Sequence, residues 1–168
     1  DVITKLRDSL QKGTPAREVS LTEEEAKIAR ELSLLTSKSI LVVLNVSEDA
    51  LKDAEALEKK FAEESGLAIN QITVICAKVE SELASLSQSD QKEYLKGLGV
   101  LESGLEKLIK RAYSTLGLIT FLTAGEKETR AWTIRAGMLA PQAAGVIHSD
   151  FEKNFIKADV ISFVEFVE

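Results

Sequence analysis

Cysteine is almost absent from this chain: Cys76 is the only one in 168 residues, so no internal disulfide can form. Disulfide-stapled secreted scaffolds are thereby excluded, and a reducing cytoplasm is the expected home. Long apolar runs are missing too. No stretch approaches the roughly 20 residues that a membrane-crossing helix requires, and the opening "DVITKLRDSL" has neither the basic start nor the apolar centre of a secretory signal. A membrane partner is not expected. Basic charge is in deficit, with 21 Lys and Arg against 27 Asp and Glu and a net charge of -6. Non-specific grip on a phosphate backbone comes from clustered cations, so general nucleic-acid binding is disfavoured and DNA is not an expected partner. Histidine is nearly absent as well: His148 stands alone, with no Ser or Cys nucleophile indicated beside it. It reads as a structural or surface residue near a helix end, and no catalytic residue or metal ligand is assigned.

What is present is the composition of an ordinary soluble globular protein, 45% hydrophobic and 29% charged, long enough for one domain or one plus a small second. The opening residues predict a helix through Leu10 that stops at Gly13-Thr14-Pro15. Thr22 and Glu25 make a capping-box signature, after which Ile28, Leu32 and Leu35 share one helical face. "ILVVLN" then reads as a buried strand beginning at Ile40, Leu51, Ala54, Leu57 and Phe61 as a helical stripe closed by Gly66, and "QITVICAK" as a second buried strand. Strand, helix, strand is the parallel crossover unit of an α/β sheet. Both strands end in polar, loop-like sequence, "NVSE" and "CAKVE". Ligands of open α/β sheets sit beyond the carboxyl ends of strands, so two such ends side by side predict one rim of a ligand site.

Two more helices follow in "QSDQKEYLKGLG" and "LESGLEKLIKRAYSTLG", the latter expected to bury Leu101, Leu105, Leu108 and Ala112. From Leu118 the texture changes. "LITFLTAGEKETRAWTIRAG" predicts two strands around a Gly125 turn, "APQAAGVIHSDFEKNF" one helix with Pro141 in its first turn, and "ADVISFVEFVE" a further strand. This β-β-α-β module would place Trp132 in a core or interface and Phe151, Phe155, Phe163 and Phe166 in its core.

The run "TFLTAGEKETRAWTIRAGMLAPQAAGVIHSDFEKNFIKADVISFVEF" resembles the TGS domain that ends the YchF/Obg-like ATPase family of P-loop proteins, and "LSLLTSKSILVVLNVSED" and "VICAKVESELASL" resemble the same family in the same order. The resemblance implies an α/β fold: the end of a helical, coiled-coil-like insertion over 1–36, the C-terminal part of a nucleotide-binding α/β domain over 37–116, and a ubiquitin-like β-grasp TGS domain over 117–168, incomplete at its C-terminus. It also implies an ATPase or GTPase using ATP or GTP with Mg and associating with the ribosome or ribosomal RNA.

The same resemblance gives "NVSE" a role. In guanine-specific relatives the corresponding loop is N-K-x-D, whose Asp accepts from the two donors on guanine's Watson-Crick edge. Here Val46 replaces the Lys and Glu48 the Asp. Adenine offers a lone pair at N1, which a carboxylate aimed as Asp is would oppose. "NVSE" thus resembles an adenine-tolerant variant in which Asn45 braces the loop and Val46 contacts the base. "CAK", Cys76, Ala77 and Lys78, resembles the S-A-K loop whose amides touch the base's far edge. Lys127, Arg130 and Arg135, from one hairpin and its exit, are the candidate partner surface.

Taken without the resemblance, Asn and Glu after a strand are commonplace, Glu48 could simply favour the start of the next helix, and Cys76 reads as a small buried residue. No G-x-x-x-x-G-K-[ST] loop and no D-x-x-G motif occurs in the chain, and "QKGT" has Lys and Gly in the wrong order. Tight nucleotide binding or hydrolysis by these residues alone is therefore not expected. Two readings stay open: part of a YchF-type nucleotide hydrolase, or a non-catalytic TGS-type module binding ribosome, RNA or protein.

Overall fold

The computed structural model describes residues 1–126 and 128–167, and the chain divides into two compact units, 1–115 and 116–168. The first opens with α1 (Val2–Gln11), capped by the Asp1 carboxylate, and α2 (Glu23–Glu31). The capping box at Thr22 forms as its spacing predicts: the Glu25 amide donates to Thr22 Oγ1 at 3.3 Å and the Thr22 amide to Glu25 Oε2 at 2.9 Å. Lys5 on α1 reaches the same carboxylate at 3.0 Å. The expected stripe is not the buried one. Ile28, Leu32 and Leu35 are exposed, because α2 ends at Glu31 and packs through Ala29 against Val2, Leu6 and Ala16.

The strands lie where the β-branched runs place them. β1 (Val42–Asn45) and β2 (Ile72–Ile75) pair in parallel, Val42 beside Ile72 through Asn45 beside Ile75, and the ladder continues one step as the Val46 amide donates to Ile75 O at 2.8 Å. Between them a 3-10 turn over Glu48–Asp53 leads into α3 (Ala54–Ser65), which ends at Gly66 with φ 70, a left-handed conformation that glycine adopts freely. Leu51, Ala54, Val74, Cys76, Val79, Leu83 and Leu95 form the core of this unit, with Leu44, Val46 and Leu57 packed against it.

Three helices follow: α4 (Ala77–Leu83), α5 (Gln88–Gly97) and α6 (Gly104–Thr115). α4 starts directly after β2, so "CAK" is not a free loop: Cys76 occupies the N-cap position without a side-chain capping bond, and Ala77 and Lys78 open the first turn. Leu101 and Leu105 are exposed rather than buried, since α6 starts only at Gly104 and turns Leu108, Ala112 and Arg111 inward instead. The far edge of β2 is closed by a charge pair. Glu58 on α3, 4% exposed, accepts the Val74 amide at 3.0 Å, and its other oxygen lies 2.7 Å from Arg111 Nη2 on α6. A buried carboxylate is tolerated here because donors face both oxygens.

In the second unit β3 (Leu118–Ala124) and β4 (Thr129–Arg135) form the expected antiparallel hairpin, with Phe121 opposite Trp132 and Thr123 opposite Arg130. α7 (Ala140–Ile147) carries Pro141 in its first turn and packs along β4. The single helix expected next is two. His148 adopts an extended backbone (φ -158, ψ 138), ends α7, and caps α8 (Ser149–Lys153) through its ring Nδ1, which accepts the Asp150 amide at 3.2 Å. The histidine thus stands at a helix start as well as at a helix end, with the Asp150 carboxylate 3.5 Å from the same nitrogen.

The strand expected in "VISFVEF" does not form. Residues 163–167 are α9 (Phe163–Val167), because Ser162 and Glu165 make a capping box: the Ser162 amide donates to Glu165 Oε2 at 3.0 Å and the Glu165 amide to Ser162 Oγ at 3.3 Å. The S-x-x-E signal overrides β-branched propensity. Phe151, Phe163 and Phe166 are accordingly exposed, and Phe155 is half-buried.

Candidate functional site

The carboxyl ends of β1 and β2 meet, as the crossover pattern predicts. β1 delivers Asn45 and β2 delivers Cys76, and the two loops are tied directly: Asn45 Oδ1 accepts the Ala77 amide at 3.0 Å. Residues 32 apart in sequence thereby form one rim. Asn45 is exposed, so the amide group of its side chain stands at the surface while its oxygen is committed. Val46 is half-buried against the core, and its apolar side chain anchors the loop from beneath. Cys76 is buried, 3% exposed, and fills the core under α4.

Glu48 sits at the start of the 3-10 turn, and its Oε2 lies 3.6 Å from Lys78 Nζ, so a second bridge joins the two loops. The five residues Asn45, Val46, Glu48, Ala77 and Lys78 are therefore brought together, with Cys76 beneath them. Two neighbours went unnoticed in the sequence. Glu82, one turn along α4, lies 3.8 Å from Lys78 Nζ and accepts the Tyr94 hydroxyl at 2.5 Å. The Lys78–Glu82 pair was legible as an i,i+4 spacing, whereas Tyr94 on α5 carries no local signal.

Of the candidate partner residues of the second unit, Arg130 and Arg135 are not brought together. Arg130 and Arg135 are five positions apart on β4, an odd separation that sends side chains to opposite faces of a strand. Arg130 stacks over Trp132, its guanidinium carbon 4.2 Å from the ring centroid, and the Trp132 indole donates to Thr123 Oγ1 at 2.8 Å. Lys127 lies outside the described residues. Among the described residues no group of His, Cys, Asp and Glu could hold a metal ion, and no helix is long and apolar enough to cross a membrane.

Parallel strands joined through a helix, with two polar loops tied at their carboxyl ends and a hairpin-and-helix unit after them, define a mixed α/β protein. The family model YchF-GTPase_C, described as a protein of unknown function (DUF933), matches residues 118–168. The ribosome-binding ATPase YchF of Bacillus subtilis is 47% identical over 165 residues, which take in 97% of this chain and 45% of that protein. The ribosome-binding ATPase YchF of Haemophilus influenzae is 38% identical over 169 residues, 99% of this chain and 46% of that one. The solved structure of the Schizosaccharomyces pombe YchF GTPase matches with a TM-score of 0.77 at 34% identity, covering 92% of this chain and 42% of that chain. The chain is thus homologous to the YchF proteins over nearly its whole length, which bears out the family resemblance and the α/β class, and it spans about half the length of the curated relatives it matches.

Proposed function

We propose that the chain carries the base-reading rim of a YchF-type, ribosome-associated nucleotide hydrolase, which uses ATP or GTP with magnesium. The observation that carries this reading is the hydrogen bond from the Ala77 amide to Asn45 Oδ1, because it fuses the ends of two adjacent parallel strands into one ligand-facing edge. Asn45 braces the rim, Val46 offers backbone and apolar surface to a purine, and Ala77 and Lys78 approach its far edge. Phosphate handling would belong to other parts of the full-length protein, for which the edge of β1 away from β2 is the natural attachment: β1 has no second strand partner among the described residues. Ribosome association is proposed from the relatives' names, with 117–168 acting as the TGS domain.

Replacing Asn45 with Ala in the full-length protein unties the rim and leaves the Ala77 amide unpaired. The expected outcome is roughly a 5- to 10-fold loss of nucleotide affinity, equivalent to about 1 kcal/mol for one hydrogen bond. Unchanged affinity for both ATP and GTP in a folded variant would contradict the assignment. Val46→Lys is a poor probe, because the half-buried Val46 packs on the core and a lysine there would disturb the loop from below.

A further inference from the structure

Lys78 is the centre of a row of charges, not a lone surface lysine. Its Nζ lies 3.6 Å from Glu48 Oε2 and 3.8 Å from Glu82 Oε1, and the other Glu82 oxygen accepts the Tyr94 hydroxyl at 2.5 Å. The row runs from the loop after β1, across α4, to α5, and each member restrains the next. Lys78 itself is 71% exposed, so its pair with Glu48 alone would be weak. Glu82, however, is fixed by Tyr94, and a cation held between two carboxylates has less rotamer freedom left to lose.

We propose that Lys78 is a positioning residue for purine selection: it holds the Glu48 carboxylate aside from the base edge, with Glu82 and Tyr94 anchoring Lys78. The inference rests on the base-rim reading above. A carboxylate free at the Watson-Crick edge would accept from the two donors of guanine and oppose the N1 lone pair of adenine. Pairing Glu48 with Lys78 neutralises that charge and turns it toward α4. On this account tolerance for adenine has two sources, the replacement of Asp by Glu in "NVSE" and the lysine of "CAK" that holds this Glu aside.

The test is equilibrium titration of ATP and GTP into the full-length protein as wild type, Lys78→Met, Glu48→Gln and the double variant. Lys78→Met is expected to shift the ratio of dissociation constants toward GTP by about threefold, the size an exposed ion pair can supply, and Glu48→Gln is expected to abolish that shift. Lys78→Arg, which keeps the cation, should retain the wild-type ratio. A ratio unmoved by Lys78→Met, a loss equal for both nucleotides, or a shift that persists in the double variant overturns the role of Lys78 and leaves the rim reading standing. A wild-type protein that binds neither nucleotide, or one that binds both and is indifferent to Asn45→Ala, overturns the rim reading itself.

Discussion

Tyr94 shows how far a single contact can move a residue. The hydrogen bond to Glu82, with desolvation and the Glu82 and Glu48 charges behind it, pushes the phenol up to about 12, against an ordinary value near 10. A folded-state value above the unfolded one favours the protonated phenol, so this contribution to stability is complete below about pH 10 and is lost as pH climbs toward about 12. Absorbance at 295 nm should show one tyrosine titrating near about 12, identified by its absence in Tyr94→Phe and brought well down by Glu82→Ala. A Tyr94 that stays high without the Glu82 carboxylate would contradict the cause. Glu58 and Arg111 make a different case, an ion pair whose carboxylate is buried. Arg111→Met leaves a buried carboxylate unpaired and should cost about 3 kcal/mol in urea unfolding, the low end for a broken buried pair because 24% of the Arg111 side chain still meets water. Glu58→Gln keeps an acceptor for the Val74 amide and should cost less; the reverse order would mean that the charge is not what closes the edge of β2.

Among the elements, α6 is docked through its first residue. Its first residue, Gly104, donates its amide to Glu80 Oε1 at 2.7 Å, and a Cβ there would stand 2.7 Å from Ile75 Cγ2 and 3.0 Å from that carboxylate oxygen. Alanine would improve helix propensity by up to about 1 kcal/mol, but overpacking against a β2 side chain costs about 1–3 kcal/mol. Gly104→Ala is therefore expected to destabilise the chain by about 1 kcal/mol in thermal unfolding, and a raised Tm would show that α6 can slide away freely. Caps decide three further boundaries, the starts of α2, α8 and α9. Thr22–Glu25 was legible as a capping box and starts α2; Ser162–Glu165 is the same signature, and it wins over a β-branched run that otherwise reads as a strand. His148 interrupts a continuous helical pattern because its ring replaces a missing backbone acceptor at the start of α8.

At the scale of the molecule, the second unit offers its basic side chains separately. Arg130 and Arg135 lie on opposite faces of the hairpin, and Arg130 is engaged with Trp132. If ribosome association uses this hairpin, the reversals Arg130→Glu and Arg135→Glu should act unequally on co-sedimentation of the full-length protein with ribosomes, and nucleotide affinity should stay within about twofold of wild type, as expected for sites that share no residue. Equal losses would point to a diffuse charge effect, and no loss from either would remove the hairpin from consideration. The sequence by itself determined the α/β pattern, the parallel pair that ends with Asn45 beside Ile75 and the hairpin around Gly125, because apolar period, β-branched runs and Gly or Pro punctuation are local signals that each segment carries on its own. Only the tertiary structure decided that Asn45 holds the Ala77 amide, that Lys78 stands between Glu48 and Glu82, and that Glu58 meets Arg111. Most of those partners lie tens of residues apart, and which of them meet depends on strand register and on the side from which each helix packs, quantities that no short window of sequence contains.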